Sequence, residues 1–269
     1  MQNLENLLTY SSAQWDIVSH VLALGYAAHA AGFVYFLLTI NQVKPKYRSS
    51  SILSVVVMVS AFFILYKQAQ NWEDAFVWDQ ARELWVRGTS TFSNGYRYVN
   101  WSIDVPCLLA QLVVVLGLSQ GKAQRVATGF VIGGWLMIYT GYIGQFYETS
   151  ATSMSPFYIW FAVSTVFYLY LLYLVFSTIN RYAPELPPEA SSGMHFIKWW
   201  ILGTWSLYLI AYLIPAFWPT GSGVVTRQIV YTVADITSKV FYGVFISWIA
   251  VARSKAEGYE PAIAASPEE

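Results

Sequence analysis

Charge is what this sequence has least of. Asp, Glu, Lys and Arg make up 11% of its 269 residues, under half of the roughly 25% usual in soluble domains. A water-soluble enzyme and a disordered chain are excluded on that ground. The formal net charge is zero and the basic residues gather in no patch, so nucleic acid is not an expected partner. Cysteine is almost missing as well. Cys107 has no second thiol to pair with, and it lies in an apolar run where a reactive thiolate is not favoured. Histidine is nearly as scarce, and His20 and His29 have no metal-binding partner at useful spacing. What remains is apolar: 56% hydrophobic and 18% aromatic residues, the composition of an integral membrane protein.

The intervals between charges count the spans. Free of Asp, Glu, Lys and Arg are 17–43, 49–66, 105–121, 126–147, 149–180 and 199–226. A helix needs about 20 apolar residues, with a range of roughly 17 to 25, to cross the hydrocarbon core. Each interval supplies one crossing. A seventh segment, Gln228 to Ala252, is long enough too, yet it carries Asp235 and Lys239 near its middle. Asp104 falls inside the third span, which is expected to begin near Arg97. The fold class that follows is an all-α membrane protein, a seven-transmembrane-helix bundle forming one domain over 1–254, with a tail at 255–269. Phe76-Val77-Trp78 and Glu83-Leu84-Trp85-Val86 predict a short hairpin in the Trp72–Asn94 connection between helices two and three. Tyr182 to Gly193, rich in Pro, Glu and Ser, reads as a loop, and Glu257 to Glu269 as a frayed tail.

Basic residues orient the bundle. Lys44, Lys46, Arg48, Lys122, Arg125, Arg181, Lys198, Arg253 and Lys255 fall on one side if the spans alternate, and Lys67, Arg82, Arg87, Arg97 and Arg227 on the other. The richer side is expected to be cytoplasmic, with the N-terminus and the hairpin outside. No cleavable leader is expected, because Met1 to Ser19 lacks a basic start and holds Glu5 and Asp16.

Buried charge is the feature that needs a function. An unpaired charge at mid-membrane costs at least about 2.5–3.5 kcal/mol on insertion scales and marks a working site. Lys239 has two physical solutions. It is an ion pair with Asp235, one helical turn earlier on the same face, or it is an amine held for a Schiff base. In the third span, Asn100, Asp104 and Gln111 are spaced four and seven apart and share one face. They form a polar stripe roughly 16 Å long. A stripe of that kind points inward, and Pro106 is expected to loosen the helix beside it.

On these residues the chain resembles the microbial rhodopsins. Its third span is similar to that of the light-driven sodium-pumping subfamily, whose diagnostic motif is Asn-Asp-Gln at the spacing of Asn100, Asp104 and Gln111. The likeness extends to Ala234–Lys239, Val57–Phe62, Gln68–Trp72 and Thr140–Glu148. It implies all-trans retinal bound covalently to Lys239, in a pocket walled by Trp101, Trp205, Tyr208 and Tyr231, with Gly141 leaving room near the ring. It implies Asp104 as counterion and proton acceptor, Ser60 as its switching hydrogen-bond partner, and Asn100 with Asp235 as transient sodium ligands. Arg97 would gate the exit with Asp235. Glu5, Glu148 and Arg227 match an outer ion-release cluster, against which stands ordinary surface ion pairing. Other implications are a pentamer in a bacterial inner (plasma) membrane, helped by small residues on span one (Gly25, Ala27, Ala28, Ala30, Ala31, Gly32), with His20 at the subunit interface and His29 packing. The family's interfacial sodium site uses an acid where Ser90 stands here, and Leu209 replaces a usual proline. Rival readings are an outward proton pump, a photosensor, and a non-photochemical carrier in which Lys239 and Asp235 are a plain ion pair.

Overall fold

The computed structural model describes residues 3–149 and 153–261. Among them are seven helices long and apolar enough to cross a membrane. In chain order they are α1 (Ser12–Thr39), α2 (Arg48–Ala75), α3 (Gly95–Leu116), α4 (Gln120–Gln145), α5 (Ser155–Tyr182), α6 (Pro188–Phe217) and a seventh span. That last span consists of α7 (Gly221–Asp235), a π-helical turn (Ile236–Phe241) and α8 (Tyr242–Ala256). Each helix packs on the next, and the seventh span returns to α1 and closes the ring. Large apolar side chains such as Leu38, Phe63, Tyr173 and Phe217 point outward, while Arg97, Asp104, Arg227, Asp235 and Lys239 are buried. This inverts the arrangement of a water-soluble bundle and suits a bilayer as solvent.

Local chemistry sets the helix ends. Ser11 caps α1 in a reciprocal box with Gln14. Gly117 ends α3 in the left-handed region at φ 65°, where a Cβ would also lie 2.6 Å from Arg253. The expected loop over Tyr182–Gly193 is shorter than the sequence suggested. Its prolines sit at a helix start: Pro187 caps α6 and Pro188 opens it, a position where the missing N–H is no loss. Helix α8 likewise runs two residues past the expected boundary at 254. The tail residues 262–269 lie outside the described residues.

The hairpin between α2 and α3 is present. Strands β1 (Phe76–Asp79) and β2 (Leu84–Arg87) pair antiparallel with Phe76 opposite Arg87. Tyr10 extends this small sheet through mutual backbone bonds with Trp85. Trp85 stacks on Trp15 at a centroid separation of 4.0 Å, which pins the hairpin to α1.

Pro106 leaves α3 unbroken. Its ring removes the N–H that would bond the carbonyl of Ser102, and the indole of Trp135 on α4 donates to that carbonyl at 3.1 Å instead. Gly25 and Gly32 on α1 are spent inside the protomer. A Cβ at Gly25 would meet Thr232 at 3.3 Å, and one at Gly32 would meet Met58 at 2.7 Å. Neither is therefore available for packing between subunits, whereas Ala27 and Ala31 are exposed.

Candidate functional site

Lys239 lies in the π-helical turn of the seventh span. Such a turn widens the helix by one residue and is common at functional sites. Trp200 of α6 donates to the carbonyl of Thr237 in this turn at 3.0 Å. The Lys239 amine contacts Asp235 and stands 3.9 Å from Asp104.

The two carboxylates have opposite surroundings. Asp235 accepts from Lys239 and Arg97, from the Tyr208 hydroxyl at 2.8 Å and from the Trp101 indole at 3.4 Å. Neither oxygen of Asp104 has a hydrogen-bond partner. Asn100 and Gln111 flank Asp104 on the same inward face of α3, and all three are fully buried. The Asn100 amide donates to Ser60 at 3.0 Å and the Gln111 amide to Ser54 at 3.2 Å, both hydroxyls on α2. The remaining oxygens of Asn100 and Gln111 are unpaired. One face of α3 therefore presents four buried oxygens without a donor.

From Asp235 a chain of hydrogen bonds runs to the hairpin end. Arg97 donates to Gln228 at 3.2 Å, Gln228 to Glu5 at 2.8 Å, and Arg227 bridges Glu5 at 3.4 Å and Glu148 at 2.7 and 2.8 Å. Asn94 donates to Glu5 at 3.0 Å, and the backbone N–H of Leu4 to Glu148 at 2.8 Å. Glu5, Glu148 and Arg227 are at most 2% exposed, so ordinary surface pairing is the wrong description of this cluster. Among the described residues, the buried carboxylates are Glu5, Asp104, Glu148 and Asp235, and the buried cations are Arg97, Arg227 and Lys239.

Beside Lys239 a largely apolar cleft opens between α3, α4, α5 and α6. Trp101, Trp205, Tyr208, Tyr231 and Gly141 all line it. A Cβ at Gly141 would lie 3.1 Å from Ser164 Oγ, so any larger residue would narrow the cleft. Leu209, at the position where a proline was the family's expectation, also faces it. An amine at one end, aromatic walls and an unpaired carboxylate beside the amine suit a long polyene aldehyde joined through an imine. The residues present fit retinal.

Several participants went unnoticed in the sequence. Gln228, Asn94 and Gln145 join the chain of hydrogen bonds, and Phe161, Thr165 and Met137 line the cleft. His20 is exposed, whereas His29 is buried with its Nδ1 donating to the Gly25 carbonyl at 2.7 Å, a packing role. Ser90 is exposed in the connection before α3, and among the described residues no group of three His, Cys, Asp or Glu side chains could hold a metal ion.

Comparison with known proteins agrees with this geometry. The chain is 22% identical over 229 residues to the green-light absorbing proteorhodopsin of Gamma-proteobacterium EBAC31A08, covering 85% of this chain and 84% of that one. To archaerhodopsin-3 of Halorubrum sodomense it is 30% identical over 151 residues, 55% of this chain and 54% of that protein. Among solved structures, a thermophilic rhodopsin superimposes with a TM-score of 0.87 at 28% identity, covering 94% of this chain and 99% of its own. Xanthorhodopsin, described as a light-driven ion pump with dual chromophore, gives 0.86 at 30% identity with the same coverage. Residues 16–253 match the family of bacteriorhodopsin-like proteins, and the chain, a seven-helix bundle with a buried lysine in its last span, belongs to that family.

Proposed function

We propose that this protein is a light-driven pump that exports sodium ions, with retinal held on Lys239. Bound there as a Schiff base, retinal would supply light absorption and a proton that light loosens. Asp104 takes that proton, because its oxygens are free while those of Asp235 are occupied by four donors. Ser60 then turns from Asn100 to the neutral Asp104. While the Lys239 nitrogen is charged, a cation at 4 Å is repelled by about 4 kcal/mol even at an effective dielectric near 20. Loss of that charge opens the path, and Asn100 and Asp235 oxygens hold sodium for a moment, hard ligands for a hard ion. Return of the charge prevents back-flow. Sodium leaves by way of Arg97, Gln228 and the cluster of Glu5, Glu148 and Arg227.

The observation that carries this reading is the stripe on α3. Asp104 lies between two amides, with unpaired oxygens along the face. Gln111 stands about 10 Å from Asp104 by helical rise, and on that side of Asp104 the described residues include no buried acid to reload a proton. Outward proton transport is the second reading, favoured by the free Asp104 alone. The basic-rich end, with Lys44, Arg125, Arg181 and Arg253, is assigned to the cytoplasm and the hairpin end to the exterior of a bacterial inner membrane. The pentamer expected from the resemblance would use the exposed side of α1, with Ala27, Ala31 and His20.

The test is the light-induced pH change of cells making the protein with retinal. In sodium chloride, alkalinisation that persists or grows with a protonophore is expected, and potassium chloride should abolish it. Acidification erased by the protonophore would replace sodium by protons as the cargo.

A further inference from the structure

A second cleft, with about 1210 Å³ of empty space, lies between α4 and α5 at the end of the bundle opposite the hairpin. Lys122 and Arg125 come from the first turns of α4, and Arg181 from the last turn of α5. None of the three has a carboxylate partner among the described residues. Neither α4 nor α5 contains a single Asp or Glu, and Glu185, just beyond α5, does not line the cleft. The Tyr182 ring sits under two of the cations, 5.5 Å from Lys122 Nζ and 5.4 Å from Arg181 Cζ. Thr178 also lines the cleft and is 7% exposed. The first turn of α4 is open here, since a Cβ at Gly121 would meet nothing within 4 Å and Ser119 offers no side-chain cap. Three cations without a carboxylate partner, the Thr178 hydroxyl and free helix N–H groups form an anion site.

The lower wall identifies the anion's carrier. Val126, Gly129 and Leu174 continue the cleft as an apolar groove, and Tyr170 and Tyr173 stand exposed at its mouth on the outer face of the bundle. A free phosphate has no use for that wall, but an acyl chain does. We propose that this cleft binds an anionic phospholipid, its phosphate held by Lys122, Arg125, Arg181 and Thr178 and one chain lying along the α4–α5 groove.

Native mass spectrometry of the purified full-length chain in detergent tests this. It would be titrated with dioleoyl phosphatidylglycerol, dioleoyl phosphatidylcholine and inorganic phosphate. Phosphatidylglycerol adducts are expected to form at lower concentration than phosphatidylcholine adducts and to survive excess inorganic phosphate. The double variant Arg125→Gln/Arg181→Gln should weaken phosphatidylglycerol binding about 25-fold, two contributions of roughly five-fold each. An equal change in charge outside the cleft, Lys198→Gln/Lys255→Gln, should leave it unchanged. Thr178→Val keeps every charge and the side-chain volume, so it should weaken binding even if the arginine variant does not fold. Equal binding of the two lipids, equal loss in both double variants, or displacement by inorganic phosphate would each overturn the assignment.

Discussion

Asp104 and Asp235 are one side chain in two environments, both within contact range of one amine. Four donors hold Asp235 against Arg97 and Lys239, while the Asp104 oxygens accept no well-formed hydrogen bond and stand 3.9 Å from the amine. Asp104→Asn is therefore expected to keep the retinal colour, shift its absorption and abolish light-driven sodium transport, read as the protonophore-resistant pH signal. Lys239→Ala should give a folded, colourless protein; a coloured one would mean that another amine carries the chromophore. Asn100→Asp would place a second carboxylate beside the path, and sodium transport should fall at least ten-fold while the spectrum remains. The charged members of this site were legible in the sequence because charge is so rare in it: Lys239, Asp235, Asp104 and Arg97 stand alone in apolar runs. Gln228, Asn94 and Gln145 were not, since an amide interrupts no hydropathy pattern and shows its role only through its partners.

At the level of single helices, tryptophans from neighbours tend two irregularities. Trp135 satisfies the Ser102 carbonyl that Pro106 leaves open, and the Trp200 indole joins the Tyr242 N–H on the Thr237 carbonyl in the widened turn that carries Lys239. Trp135→Phe keeps the apolar surface and loses only the N–H, so it should lower stability by about 1 kcal/mol, seen as faster thermal unfolding. In a Pro106→Ala background, where the α3 backbone supplies its own donor, that loss should shrink, which a double-mutant cycle would measure. Spans and hairpin could be read from charge gaps and alternation. The repairs could not, because with 12 tryptophans in the chain a particular one carries no signal until its partner is seen. Pro187 and Pro188 misled for a related reason, as proline breaks helix interiors yet begins helices well.

Across the whole molecule, the two ends are closed differently. At the basic end Glu257, just past α8, binds Lys46 at 2.7 Å, Lys44 at 3.2 Å and the Tyr47 hydroxyl at 2.6 Å, so the end of the seventh span is clasped to the α1–α2 turn. Slight burial would raise the Glu257 carboxyl, but the hydrogen bonds from Lys46, Tyr47 and Lys44 outweigh it and lower it from 4.5 to about 2. A lowered folded-state value means that the clasp contributes fully above pH 4.5 and is lost as pH falls toward 2. Glu257→Gln should therefore be slightly less stable than the parent at neutral pH, with the gap in melting temperature closing below pH 4. Partial exposure keeps the effect small.

The hairpin end is closed by a shorter device. The turn Leu4–Leu7 lays Glu5 onto Gln228 and Asn94, and the Leu4 N–H onto Glu148, across the far end of the ion path. This closure comes from a short segment before α1, not from any of the seven spans. On the proposed reading, the exit would be closed by a stretch of chain outside the bundle rather than by a span. Substitutions at Glu5 or Asn6 are then expected to change how fast the cargo leaves without touching the chromophore.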